Sequence, residues 1–169
     1  MAAAYRGATE AGAPAIGSVE DLAGQEVFVR RSSSYYQSLL ELNERLKAAG
    51  KPPVSIEEAP ENLEDDDLLE MANAGLIRIT VVDDYLAEFW KQVFTNLTVH
   101  DTVAVREGAS IAVAIRRDSP QLAAGLNAII DEYGLATTYG NMMQKRNQQT
   151  TKYVQHAPSR PEPQKYLQL

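Results

Sequence analysis

Three times between residues 26 and 93, a short run of β-branched and aromatic residues gives way to a helical pattern. "EVFVR" (26–30) reads as a strand. After it Tyr35, Leu39, Leu42, Leu46 and Ala49 recur at helical spacing, which draws one face of a helix. Gly50 and the Pro52-Pro53 pair end it. "VSIEEA" (54–59) is a second strand, and "NLEDDDLLEMANAG" a second helix with Asn62 as its cap and Gly75 as its stop. "IRITVV" (77–82) is a third strand, followed by the helix "DDYLAEFWKQVF" with Leu86, Phe89, Trp90 and Val93 on one face. Three strand-helix units in succession predict an α/β fold: a mainly parallel sheet with helices on both faces.

The pattern then changes. "TVAVREGASIAVAIRRD" reads as two extended segments joined at "REGAS". "SPQLAAGLNAIIDEYG" is a helix with Ser119 as cap, Pro120 in its first turn and Gly134 at its end, and a last short helix covers 138–148. Leu122, Leu126 and Ile129, with Met142 and Met143, give these helices apolar faces that need a partner. The Ala- and Gly-rich residues 1–17 read as a flexible tail. The expected domains are an α/β lobe over 18–106, a returning strand and helices over 107–150, and a Pro-rich linker over 151–169.

Composition removes several functions. The formal net charge of -7 argues against a general nucleic-acid binder, because phosphate affinity needs clustered Lys and Arg. With no cysteine there is no thiol catalysis, disulfide or thiolate metal site. His100 and His156 stand alone, so neither a metal nor a cofactor is expected. No apolar run approaches the ~18 residues of a membrane span. The opening "MAAAYRGATEAGAPAIG" lacks the segments of a signal peptide, which suggests a cytosolic protein or a piece of a longer one. No Gly-rich phosphate loop, Ser-His-Asp set or zinc motif is present, and no catalytic residue is assigned.

Two places draw attention as binding sites. Ser34-Tyr35-Tyr36-Gln37 fits a capping box, which explains the serine without any ligand. A helix that starts just after a parallel strand also aims free N–H groups and a positive dipole end outward. Ser32, Ser33 and Ser34 would add hydroxyls there, making a seat for a carboxylate or phosphate. Asp83-Asp84 repeats the arrangement after the third strand, one aspartate capping and the other free. An ammonium at Asp83 and a carboxylate at the serines would divide the recognition of a zwitterion. Arg31, Tyr35 and Asp84 are supporting candidates. "EDDD" (64–67) lacks the ligand alternation of a calcium loop and reads as the acidic first turn of a helix. Trp90 is expected in the core.

"SVEDLAGQEVFVRRSSSYYQSL", "EEAPENLEDDDLLEMANAGLIRITVVDDYLAEFW" and "IAVAIRRDSPQLAAGLNAIIDEYGLATTYGNMMQKR" resemble the family 3 extracellular solute-binding proteins. "VRRSSSY" and "NLEDDDLLEM" look more narrowly like the solute-binding-like domain of membrane-bound lytic murein transglycosylase F. The resemblance implies a type II periplasmic-binding-protein-like fold of two α/β lobes closing on a ligand, with the second lobe at about 20–105. It gives Ser32, Ser33 and Ser34 the ligand carboxylate, and Asp83 the ligand amino group. It also implies that the larger part of lobe one and a lysozyme-like catalytic domain lie outside this chain. The expectation is a non-catalytic sensor domain in the periplasm, with cell-wall stem peptides or amino-acid-like molecules as ligands and a transglycosylase catalytic domain as partner. Two alternatives stand beside it: the ligand lobe of an amino-acid transporter's binding protein, and an α/β interaction domain with no small ligand.

Overall fold

A computed structural model describes residues 2–10, 13, 15–110, 112–134 and 136–149. The chain divides into two compact units, 1–126 and 127–169. In the first unit the three expected strand-helix pairs are present: β2 (Glu26–Arg30) and α1 (Ser34–Ala48), β3 (Ser55–Ala59) and α2 (Asp65–Asn73), β4 (Ile79–Asp83) and α3 (Asp84–Trp90). Two long strands join them, β1 (Ala2–Glu10) and β5 (Leu97–Ser110), in the order β3-β2-β4-β1-β5. β2 pairs parallel with β3 and β4, while β1 runs antiparallel to both β4 and β5. Four of the five strands therefore share one direction, with β1 alone reversed.

Both faces of the sheet are covered, and the strands alternate between them with the period of two expected of extended chain. Val27, Val29, Ile79 and Val81 pack with Leu39, Leu42 and Leu46 of α1. Phe28 and Val82 turn to the other face, against Leu68, Leu69 and Ala72 of α2 and Ala87 of α3. At ~25 cal/mol per Å² of apolar surface, each fully buried leucine contributes roughly 2 kcal/mol. The α1–β3 connection is clamped by Asn43, which accepts from the Val54 N–H (2.7 Å) and donates to the Val54 carbonyl (3.0 Å). Gly50 and Gly75, at φ 69° and 72°, take the left-handed conformation that follows the ends of α1 and α2.

The expected tail over 1–17 is not one, because residues 2–10 form β1 in the middle of the sheet. An Ala- and Gly-rich run has little strand propensity of its own. Here β4 and β5 offer ladders on both sides, and the small Ala8, fully buried, lets α2 and α3 cross over it. The join expected at "REGAS" is also absent. β5 runs straight through it to Ser110, past the boundary expected at 106, and Gly108 at φ 68° absorbs the irregular register with β1. Residues 112–116, expected as a second extended segment, carry no regular secondary structure; Val113 is exposed.

Helices α4 (Pro120–Tyr133) and α5 (Thr138–Gln149) fall where the pattern put them. Leu122, Ile129, Ile130, Met142 and Met143 are all exposed. Within the second unit, Gly134 closes α4 by donating to the Ile130 carbonyl, and Tyr133 meets Tyr139 edge to face at 5.4 Å. Among the described residues no helix is long and apolar enough to cross a membrane. The 151–169 linker and His156 lie outside the described residues.

Candidate functional site at the carboxyl ends of β2, β3 and β4

The chain leaves β2 for β3 on one side, then crosses to β4 on the other. α1 lies on one face of the sheet and α2 on the opposite one. β2 is thus a topological switch point, the place where open α/β sheets form a crevice at their strand ends. The segments leaving the three strands carry Ser32–Ser34, Glu61 and Asp83.

The three serines divide the work differently from the capping-box reading. Ser33, not Ser34, is the cap of α1: its hydroxyl accepts from the Tyr36 N–H (3.3 Å) and donates to the Arg30 carbonyl (2.7 Å). Ser34 is already the first helical residue, and its carbonyl accepts from the Ser38 hydroxyl (3.0 Å). Gln37 reaches forward to Glu41 rather than back to the cap. The helix starts one residue earlier because Ser33 can close a turn on Arg30, which Ser34 is too far along to reach. Ser33→Ala should therefore cost about 1 kcal/mol of stability and Ser34→Ala clearly less. Urea denaturation of both variants checks this; equal losses would refute the assignment.

Ser32 stands one residue outside the cap. Its N–H donates to Glu61 Oε1 (3.0 Å) and its hydroxyl to Glu61 Oε2, so a single carboxylate takes both donors. Those two bonds hold the exposed Glu61 carboxyl below the usual carboxylate range.

Asp83 ends β4 at the cap position of α3, but its side chain makes no capping bond. Its own N–H donates to the Tyr35 hydroxyl (3.2 Å), which in turn donates to Asp65 Oδ2 (3.0 Å). Burial pushes the Asp83 carboxyl up, the Tyr35 hydroxyl pulls it down, and the carboxylates of Asp65 and Asp84 push it up again. Tyr35 is itself buried, and burial beside Asp65 and Asp83 raises its phenol far above the ordinary value. Arg30 ties this group to α2, with Nη2 2.9 Å from Asp65 and Nη1 3.3 Å from Glu64. Arg31, expected to support the site, pairs outward with Glu58 at 3.2 Å. Asp84 opens α3.

Sequence reasoning placed Ser32–Ser34 and Asp83 at one edge of the sheet, and the Tyr35–Asp83 bond brings α1 and β4 together there. It missed Glu61, Arg30 and Asp65. The cap of α2 was misplaced as well. Glu64 holds it, its N–H donating to Asp67 Oδ2 (2.7 Å), because the turn that Leu63 makes on Pro60 delays the helix past Asn62. Trp90 is only partly buried. It stacks on Phe94 at 4.8 Å and donates its indole N–H to Asp66 (2.7 Å), a polar handle that keeps one edge in water. His100 Nε2 lies 3.0 Å from the Thr9 hydroxyl, a hydrogen-bond partner on β1. No three His, Asp or Glu among the described residues are grouped to hold a metal. An open depression of about 310 Å³ beside α2, lined by Leu63, Met71, Ala74 and Leu76 with Asp67 and Glu70, involves none of the expected site residues.

No family model and no curated protein sequence matches the chain. Its fold has solved counterparts. The amino acid ABC transporter substrate-binding protein AbpA from Streptococcus pneumoniae, bound to L-arginine, has a TM-score of 0.65 over 89% of this chain and 59% of its own, at 15% identity. The chain has the fold of amino-acid transporter substrate-binding proteins. An ancestral arginine-binding protein bound to arginine gives 0.62 over 86% of this chain and 60% of its own, at 20% identity. A structure describing glutathione import via GshT and the cystine importer TcyBC of Streptococcus mutans gives 0.60 over 96% and 63%, at 16% identity. This chain spans about three fifths of the length of these structures.

Proposed function

We propose that the carboxyl ends of β2, β3 and β4 bind a small amino-acid-like solute, with Asp83 taking its ammonium and the Ser32 N–H and hydroxyl its carboxylate. The observation that carries this reading is that a half-buried Asp83 carboxylate and the two donors of Ser32 both lie at the carboxyl ends of neighbouring parallel strands at the switch point of the sheet. Charge supports it: Glu58, Glu61, Glu64, Asp65, Asp66, Asp83 and Asp84 crowd the segments that hold Arg30 and Arg31, so a ligand with a cationic end is drawn in. The arginine bound in the solved counterparts agrees with that preference.

Within this reading the chain is a periplasmic sensor domain of a lytic murein transglycosylase, reading cell-wall stem peptides for a catalytic domain. It performs no bond cleavage itself. The second reading is the ligand lobe of an amino-acid transporter's binding protein, which the fold shared with the amino acid ABC transporter substrate-binding protein AbpA supports. Titrating the chain with L-arginine and with a peptidoglycan stem peptide, followed at the Ser32 and Asp83 amides by NMR, tests both. Each charged contact contributes ~1.5–3 kcal/mol, and a millimolar complex needs about 4, so the millimolar range is the tightest that two contacts allow L-arginine. A stem peptide binding tenfold tighter supports the sensor; an equal or weaker one supports the transporter lobe. No shift of either amide by about 100 mM (roughly the Kd that one contact of ~1.5 kcal/mol leaves) ends the ligand reading, and release of anhydro-muropeptides from sacculi would end the non-catalytic one.

A further inference from the structure

We infer that Glu61 is a tethered competitor for the ligand's carboxylate, an autoinhibitory contact that fills the Ser32 seat until a solute displaces it. The inference rests on the ligand reading above and adds to it a cause for weak binding. The Glu61 carboxylate already does what an incoming carboxylate would do, taking the Ser32 N–H on one oxygen and the Ser32 hydroxyl on the other. No second carboxylate can use those donors while it is there.

The loop that presents Glu61 is held at both ends. Leu63 donates back to the Pro60 carbonyl (3.1 Å), and Arg30 grips Glu64 and Asp65 just beyond. Glu61 is therefore delivered to Ser32 at high local concentration by a fixed backbone. Its side chain is nonetheless exposed, so it can swing into water without disturbing the core. This combination makes a contact that is populated at rest and still displaceable.

Two consequences follow for binding. A ligand carboxylate exchanges one charge-assisted pair for another, so it adds little net affinity in the resting chain. The apparent affinity for a carboxylate-bearing solute is lowered by the fraction of chains with the seat open. A seat open one time in about ten weakens such a ligand about tenfold. A cation without a carboxylate does not meet this barrier.

The test compares L-arginine with agmatine, its decarboxylated analogue, on the wild-type chain and on Glu61→Ala, with Kd read by calorimetry or NMR. In the wild type the two ligands should bind within about threefold of each other. In Glu61→Ala, L-arginine should tighten about tenfold while agmatine stays unchanged or weakens, and adding Ser32→Ala, which removes the hydroxyl and leaves the N–H, should cut that gain. Comparing two ligands on one variant removes any general effect of the substitution on folding. A wild-type preference for arginine above tenfold, or equal changes for both ligands in Glu61→Ala, would overturn the competitor and leave the ligand site standing. If neither ligand binds either chain, the ligand reading falls and the competitor falls with it.

Discussion

Replacing Arg30 with alanine is expected to destabilise the α/β unit by about 2 kcal/mol. The guanidinium is nearly enclosed, with its side chain 19% exposed and that of Asp65 17% exposed, and it joins the end of β2 to the start of α2. Removing it strands Asp65 near Asp83, with the Tyr35 hydroxyl still donating to it. Breaking one side of a buried pair costs ~3–5 kcal/mol, because the other charge stays behind. Here the cost falls below that range: Glu64 is exposed, and Arg30 Nε is buried without a partner among the described residues, so the native pairing is already imperfect. Double replacement with Asp65→Ala should recover part of the loss, since no orphan charge remains. Chemical denaturation of the three variants measures this. A single-variant loss under ~0.5 kcal/mol, as for an ordinary surface pair, would show that the bridge holds nothing together.

What could be read from the sequence follows from how locally each feature is determined. The β2–α1, β3–α2 and β4–α3 units were legible because their apolar residues repeat at two or at three and four, and the core is built from those same residues. β1 was not, since "AAAYRGATE" becomes a strand through the ladders of β4 and β5, neither of which its own residues announce. The serine run and Asp83 were legible as polar residues at strand ends. Which serine caps was a matter of one residue, decided by whether a hydroxyl could reach the Arg30 carbonyl. Glu61 was hidden for a different reason. Nothing marks one glutamate in "EEAPENLEDDD" over another until the turn on Pro60 aims it at Ser32.

Asp83→Asn is expected to make the chain more stable and a poorer binder at once. Burial is the main force holding the Asp83 carboxyl above its ordinary pKa of 3.8, with Asp65 and Asp84 adding to it. The folded chain thus holds this proton more tightly than the unfolded one does. Stability is greatest below the unfolded pKa and falls as pH rises through the window up to the raised folded value. Above that window the charged Asp83 is a standing cost, which asparagine removes while keeping the backbone bond from its N–H to Tyr35. The site is partly open to solvent, so screening limits the gain to several tenths of a kcal/mol, about 1 at most. That gain should be present at pH 7 and vanish near pH 3 (about a unit below the unfolded carboxyl). Binding moves the other way. A charge-assisted bond to an ammonium contributes ~1.5–3 kcal/mol, so L-arginine should weaken roughly ten- to a hundredfold. Melting curves at the two pH values and a titration on the same preparation give both numbers. If Asp83→Asn destabilises at pH 7, the carboxylate is anchoring the fold; if it binds arginine as well as the wild type does, the ammonium goes elsewhere. Stability gained where binding is lost would mark Asp83 as a residue kept charged at the expense of the fold, for its ligand.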